Sequence, residues 1–342
     1  MKHRTFFWFI LPSLSAMVLF IALPIVSVLI QSVFVAPSQV LVTTQSCGPF
    51  GCTETTTVDA AATAKAAEAH PLGRFNGLGT YLDRAHLATA EVAQAWHDSP
   101  TLGAFVRALM TLPFYSALAF TLTYTFAVTP VALLLGLAVA LAVNALPRAI
   151  RGPTIFVSLL PMIVTPLIGS LILFWMIDAR GIIGATLQWL LNDPGLSLKA
   201  SPALTWLTLI LYGIWQQAPF AFIVFYAGLQ TVPHETLEAA MVDGASRWER
   251  VRYVVVPHLA PLIVFVALIE LMDNFRVFEP IVGFSAEASA TSLSYAIYSD
   301  LSGEVPRFGS AAATSILTVI GVAILLAPVL VRTWRDFNRK VV

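Results

Sequence analysis

"ETLEAAMVDGASRWERVRYVVVPHLAP", Glu235 to Pro261, sets two short charged runs around an Asp-Gly pair and lies between apolar blocks. Pro233 falls in the first turn of a helix, where a missing N–H is tolerated, and Glu235 and Glu238 lie near the positive end of its dipole. Gly244 ends that helix. Asp243 is placed to cap a second one, "GASRWERVRYVVV", which runs until Pro257 and Pro261 return the chain to the apolar block. The stretch therefore reads as two short helices meeting at an Asp-Gly elbow. Ala239, Ala240 and Ala245 leave its surface thin enough for another backbone to approach, and Glu238, Asp243, Arg247 and Arg250 rim it with directional charge. The residues alone allow two readings, a docking elbow or a solvated amphipathic connection.

The surroundings are those of a membrane protein. Of 342 residues, 58% are hydrophobic and 11% charged, with a mean hydropathy of +0.81, against about 25% charged residues in a soluble domain. A helical span needs about 20 apolar residues. Six stretches supply them, at 7–34, 115–143, 154–177, 203–229, 261–284 and 309–331. The predicted fold is all-α with six transmembrane helices. Lys2 and Arg4 flank the first span, which is too long for a signal peptide and lacks an A-x-A site, so it reads as an uncleaved anchor. With both termini cytoplasmic, Arg148, Arg151, Arg247, Arg250, Arg252, Arg332, Arg335, Arg339 and Lys340 also fall inside. The short outer loops hold only Arg180, Lys199 and Arg307, as the positive-inside rule requires.

On this reading the chain divides into a first span (1–35), a periplasmic insertion (36–112) and a five-helix core (113–342) with a cytoplasmic connection at 231–260. The insertion contains both cysteines, in "CGPFGC", Cys47 to Cys52. In an oxidising compartment a disulfide there stabilises by about 2 kcal/mol on the loop-entropy model; the alternative is a free thiol pair in a flexible turn. The Ala-rich "DAAATAKAAEAHPLG", Asp59 to Gly73, is expected to form a helix or a mobile linker.

Several chemistries are missing. There is no G-x-x-x-x-G-K-[ST] phosphate loop and no H-E-x-x-H, and "GFSA" at Gly283 to Ala286 lacks the second Gly of a serine-nucleophile turn. The six histidines are scattered, without metal-ligand spacing. No catalytic or metal-binding residue is expected. Polar residues inside the spans are more informative, because a carboxylate there must face protein or water. Glu270 follows Pro261 by nine residues, which places it about 13 Å into the bilayer. Asp273, Asn274, Arg276 and Glu279 follow it, with Asp273–Arg276 and Arg276–Glu279 at helical pairing distance. Gln216 and Gln217 add amides, with Trp215 and Phe220 nearby as aromatic surfaces. This set reads either as the wall of a solute path (Gln216, Gln217, Glu270, Asp273, Asn274) or as a helix-to-partner contact held by ion pairs. Pro161 and Pro166 should interrupt the third helix and permit it to bend.

"EAAMVDGA" at Glu238 to Ala245, followed by "VVVPHLAP" at Val254 to Pro261, resembles the E-A-A-x-x-D-G-A…P signature of ATP-binding-cassette (ABC) importer permeases. "IWQQAPFAFIVFYAGLQTVP" (Ile214 to Pro233), "MDNFRVFEPIVGF" (Met272 to Phe284) and "FGSAAATSILTVI" (Phe308 to Ile320) resemble the carbohydrate branch, of the maltose and glycerol-3-phosphate type. "GLGTY" at Gly77 to Tyr81 resembles the outer motif ahead of the second span. The resemblance covers about 75–332 and the first helix. It implies a transport subunit rather than an enzyme, multi-pass in a bacterial-type inner membrane and importing a sugar, oligosaccharide or polyol.

In such a system Glu238, Ala239, Ala240, Asp243, Gly244 and Ala245 dock on a cytoplasmic ATPase dimer. ATP and Mg are used by that partner, so this chain needs no cofactor of its own. Six spans form half a pore, which implies a second permease subunit, commonly in a hetero-pair, and a periplasmic or lipid-anchored solute-binding protein; nucleic acid is not a partner. ATPase closure pulls the elbow and rocks the helices. Val251 departs from the family, which often has Phe at that place. Glycerol-3-phosphate or an amino-acid derivative is the alternative solute, and a secondary transporter, a channel or a membrane scaffold is the alternative class.

Overall fold

A computed structural model describes residues 3–35, 41–48, 51–59, 61–62, 65, 72–199, 201–303 and 305–339. The first span, Phe6–Gln31, is made of α1 (His3–Met17) and α2 (Leu23–Gln31), joined by a π-helical turn at Val18–Ala22. Two-residue strands β1 (Phe34–Val35) and β4 (Arg74–Phe75) pair antiparallel, and between them β2 (Leu41–Gly48) and β3 (Gly51–Val58) form a hairpin. Three short helices follow, α3 (Gly79–Leu82), α4 (Thr89–Asp98) and α5 (Leu102–Leu109), before the second span, α6 (Pro113–Asn144).

The third is a bent pair, α7 (Arg148–Ile163) and α8 (Pro166–Met176), with 93° between them. Beyond α9 (Ile182–Leu191) comes the fourth span, α10 (Pro202–Leu229). The elbow is α11 (His234–Val242) and α12 (Arg247–Arg250), and α12 runs through a π turn at Val251–Val255 into α13 (Val256–Phe275). Last come α14 (Glu279–Gly283), α15 (Leu293–Ser302) and α16 (Phe308–Arg339). Among the described residues five helices are long and apolar enough to cross a membrane, six spans with the bent pair counted as one.

Two features differ from the sequence expectations. The hairpin β2–β3 was not foreseen, although its many β-branched threonines suit strands. Its register sets Cys47 opposite Cys52; the side chains of both cysteines lie outside the described ones, as do most of 59–73 and the basic residues Lys2 and Lys340. The fifth span runs over Arg247–Phe275 rather than 261–284, because Pro257 does not stop the helix. A proline ring clashes with the carbonyl four residues back. Here the wider π turn, in which the Val256 N–H reaches Val251 O, moves that carbonyl aside. The first span does the same before Pro24, with the Leu23 N–H on Val18 O.

The break between α7 and α8 follows from Pro166, since the residues before a proline are pushed to extended backbone. Val164 (φ −78°, ψ 123°) and Thr165 (φ −61°, ψ 142°) take that conformation.

The chain forms two compact units, Met1–Ser116 with Ala296–Ile320, and Ala117–Tyr295 with Gly321–Val342. In the first, the end of the first span is clamped by the stretch containing "GLGTY". Asn76 N–H donates to Val33 O at 2.8 Å, and the Tyr81 hydroxyl donates to the buried Ser32 Oγ at 2.7 Å. His86, also buried, sets Nε2 3.1 Å from Ser310 O.

In the second unit the apolar core has two parts. One gathers Phe120, Tyr124, Val128, Leu209, Ile281 and Phe284; the other gathers Val143, Ala221, Phe222, Phe225, Leu259 and Val266. Along α6, α10 and α13 the polar residues Thr129, Gln216, Gln217, Glu270 and Asn274 fall between the two parts. At the rim, the Arg180 backbone N–H and the Lys199 ammonium hold the Asp178 carboxyl below the usual carboxylate range, and Lys199 also sits 3.2 Å over the Phe174 ring.

α6 and α10 approach through Gly136. A Cβ there would stand 2.8 Å from the Phe222 backbone N and meet Ala221, so the contact is between backbones, as small residues permit in membranes. Gly136→Leu is expected to lower the apparent melting temperature of the detergent-solubilised protein, by an overpacking cost of about 1–3 kcal/mol. Melting unchanged from wild type, by tryptophan fluorescence, would show that the two helices can part without loss.

Candidate functional site: the elbow and a polar cavity

The elbow is built by two caps. Asp243 N–H donates to Ala239 O at 3.0 Å, Gly244 N–H to Met241 O at 3.1 Å and Ala245 N–H to Ala240 O at 2.9 Å. With Gly244 at φ +77°, this is a Schellman ending of α11. A Cβ on Gly244 would meet nothing within 4 Å, so glycine is required by backbone conformation and not by crowding.

The second cap corrects the sequence reading. Asp243 ends α11 and does not begin α12; Ser246 does, in a capping box with Glu249. The Glu249 backbone N–H lies 3.3 Å from Ser246 Oγ, and the Glu249 carboxylate accepts from the Ser246 backbone N–H at 2.7 Å. Of the residues expected to dock, Glu238, Ala239, Asp243 and Gly244 are exposed, and Ala240 and Ala245 are half-buried. The sequence reading passed over the apolar side chains beside them. Val242 is 88% exposed and Trp248 70%, and Met241 and Tyr253 are also exposed. The signal was available, because helices of nine and four residues cannot fold back to cover Met241, Val242 and Trp248 themselves.

A cavity of about 370 Å³ lies in the same unit, bounded by α6, α8, α10, the end of α13 and α14. Gln216, Gln217, Asp273 and Asn274, four of the five residues expected to form a path, line it, with Tyr124, Tyr212, Arg276 and Glu279. Glu270 is not in the lining. It is 0% exposed, and neither carboxylate oxygen has a hydrogen-bond partner among the described residues. Depth explains the difference: Glu270 lies one turn before Asn274 on the same face of α13, where the packing is closed over it.

The lining polar groups are mostly engaged. Asn274 Nδ2 donates to Thr129 Oγ1 at 2.9 Å, and Gln217 Nε2 lies 3.5 Å from Asn274 Oδ1. Gln216 Nε2 donates to the carbonyl of Val164 at 3.0 Å, and the Tyr212 hydroxyl to that of Pro166 at 2.8 Å. Both acceptors flank the helix break. Gln216 therefore holds the cavity wall in shape as well as facing the cavity. Arg276 pairs with Asp273 at 2.8 Å, whereas no Arg276–Glu279 pair forms. Trp215 is half-exposed and outside the lining.

The elbow and the bent third span can be set beside known proteins. The model of the family described as binding-protein-dependent transport system inner membrane component matches residues 4–334. The chain belongs to this family. It is 27% identical over 222 residues to the trehalose/maltose transport system permease protein MalF of Thermococcus litoralis, covering 63% of this chain and 73% of that one. It is 31% identical over 213 residues to the sn-glycerol-3-phosphate transport system permease protein UgpA of Agrobacterium fabrum, covering 59% and 70%. Among solved structures, a bacterial ABC transporter involved in the import of the acidic polysaccharide alginate superimposes with a TM-score of 0.60 at 21% identity, over 79% of this chain and 94% of that one. The fold is therefore that of an ABC permease. The protein is a multi-pass inner-membrane transport subunit.

In a permease of this family Glu270 presents a test of its own. A buried carboxyl without partners costs about 1–3 kcal/mol, so Glu270→Met is expected to raise the apparent melting temperature in detergent. A lower melting temperature would mean that the carboxyl makes a contact beyond the described residues.

Proposed function

We propose that this permease forms one half of an ATP-driven import pore for a carbohydrate or polyol, worked through the elbow by an ATPase that is a separate protein. The observation that carries the proposal is one of continuity. α12, the π turn and α13 form a single helix over Arg247–Phe275, 29 residues or about 43 Å at 1.5 Å per residue. Its one end carries Trp248, beside the exposed Met241 and Val242 of α11, and its other end carries Asp273 and Asn274 of the cavity wall. A displacement at the elbow is thus delivered to the wall by a stiff rod.

Exposed apolar residues on so short an elbow suit a partner that covers them, and Glu238, Asp243 and Arg247 around them give that partner a fixed orientation. The chain has no nucleotide loop, so ATP and Mg would be bound by the ATPase pair. For coupling, that pair must hold the elbow differently in its two nucleotide states, because equal contacts shift no equilibrium. Six spans make half a pore, which calls for a second permease subunit to complete it. Delivery by a solute-binding protein is supported by the family's description and by a second similar structure, an alginate ABC transporter in complex with an alginate pentasaccharide-bound periplasmic protein. The carbohydrate class is supported by the relatives named for trehalose, maltose and sn-glycerol-3-phosphate.

Trp248→Glu and Gly244→Asp are expected to reduce solute uptake at least tenfold and to abolish co-purification of the ATPase, while the variants still insert in the membrane. Uptake and association at wild-type levels in both would return the elbow to a solvated connection and end the importer mechanism.

A further inference from the structure

We infer that the cavity selects an uncharged, hydroxyl-rich solute and turns away one carrying a phosphate or carboxylate group, a reading that rests on the import function proposed above. The charges decide it. Among the described residues the lining holds two carboxylates, Asp273 and Glu279, and one cation, Arg276. The Arg276 guanidinium is paired with Asp273 at 2.8 Å, and Glu279 has no ion pair among the described residues. The balance is one net negative charge, and it belongs to an exposed side chain at the cavity.

The hydrogen-bond inventory points the same way. A phosphate or carboxylate is bound by guanidinium groups or by several N–H donors together. Here Asn274 Nδ2 is engaged with Thr129 and Gln216 Nε2 with the Val164 carbonyl, and the Tyr212 hydroxyl proton goes to the Pro166 carbonyl. Donors remain on Arg276 and on the amides, but the one full charge left unpaired among the described lining residues is an acceptor's: the wall offers both Glu279 oxygens and the second Asp273 oxygen. Sugar and polyol hydroxyls are donors as well as acceptors, and fit such a wall; a phosphate or carboxylate group brings only acceptors, and its charge repels that of Glu279. An ammonium solute would satisfy Glu279 but leave the neutral remainder of the wall, with its tyrosines and amides, unmatched to its charge. The relatives do not predict this outcome, since they include proteins named for the anionic sn-glycerol-3-phosphate and alginate as well as for trehalose and maltose.

The test uses cells of the source organism lacking this chain and complemented with wild type, Glu279→Lys or Glu279→Gln. Uptake of labelled trehalose, maltose and mannitol is compared with that of sn-glycerol-3-phosphate, glucuronate and glucosamine. In wild type, the uptake that depends on the chain is expected to be of the neutral probes. Glu279→Lys should raise the ratio of anionic to neutral uptake about tenfold, from two units of charge altered a few Å from the solute, and Glu279→Gln should raise it by a smaller factor, about threefold. The solute-binding protein is the same in every strain, so a changed ratio belongs to the permease. Chain-dependent uptake of an anion or of glucosamine by wild type, or a ratio unmoved in both variants, would overturn the selectivity and leave the importer standing. Uptake of every probe independent of the chain would overturn the importer reading, and the selectivity with it.

Discussion

Inside a bilayer a backbone carbonyl released from a helix has no water to turn to, and the architecture of the cavity follows from how one such carbonyl is satisfied. The break before Pro166 frees Val164 O, and Gln216, reaching across from α10, donates to it. Tyr212, one turn earlier, ties the Pro166 carbonyl to the same helix. These two bonds hold the bent third span against the fourth, and the space left beside the bend is the cavity. Without them the break would be untenable in lipid, and without the break α8 would not turn aside to make room for α14, which packs on it. A proline, a glutamine and a tyrosine thus account for the hollow in an otherwise apolar bundle.

The spans were legible because long apolar runs have few alternatives, and the elbow because Gly244 and its alanines have so specific a chemistry. The bend at Pro166 was legible because proline disfavours helix in the residue before it, but Pro161, expected to interrupt the same span, lies inside α7. Less legible were features in which one local rule yields to another. Asp243 is a good N-cap residue, but Ser246 with Glu249 forms a full capping box and takes the role. Pro257 is a helix breaker, but five residues of wider helix ahead of it absorb the clash. The β2–β3 hairpin was hidden because the sequence reading attended to the cysteines and the turn between them, although the β-branched threonines on both sides suit strands.

The polar membrane residues form a graded case. Pattern alone gathered Gln216, Gln217, Asp273 and Asn274, which do share one cavity, but it could not separate them from Glu270. A period of 3.6 places Glu270 and Asn274 on one face, and only packing decides that Asn274 reaches the cavity edge while Glu270 stays beneath it. Nor could the pattern show that Arg276 is committed to Asp273, the pairing that leaves Glu279 to set the sign of the field.

The π turn at Val251–Val255 also acts as a phase shifter. One residue inserted in a helix rotates everything beyond it by about 100°. Trp248 therefore faces a direction that no straight extrapolation from Asn274 would give it. The azimuth of the elbow and the azimuth of the cavity wall are set separately, though a single rod joins them. Packing in the membrane can thus fix one end of the lever while the other end is aimed to suit whatever covers Met241, Val242 and Trp248. Deleting a single residue within the turn would preserve both surfaces in composition and still spoil their alignment.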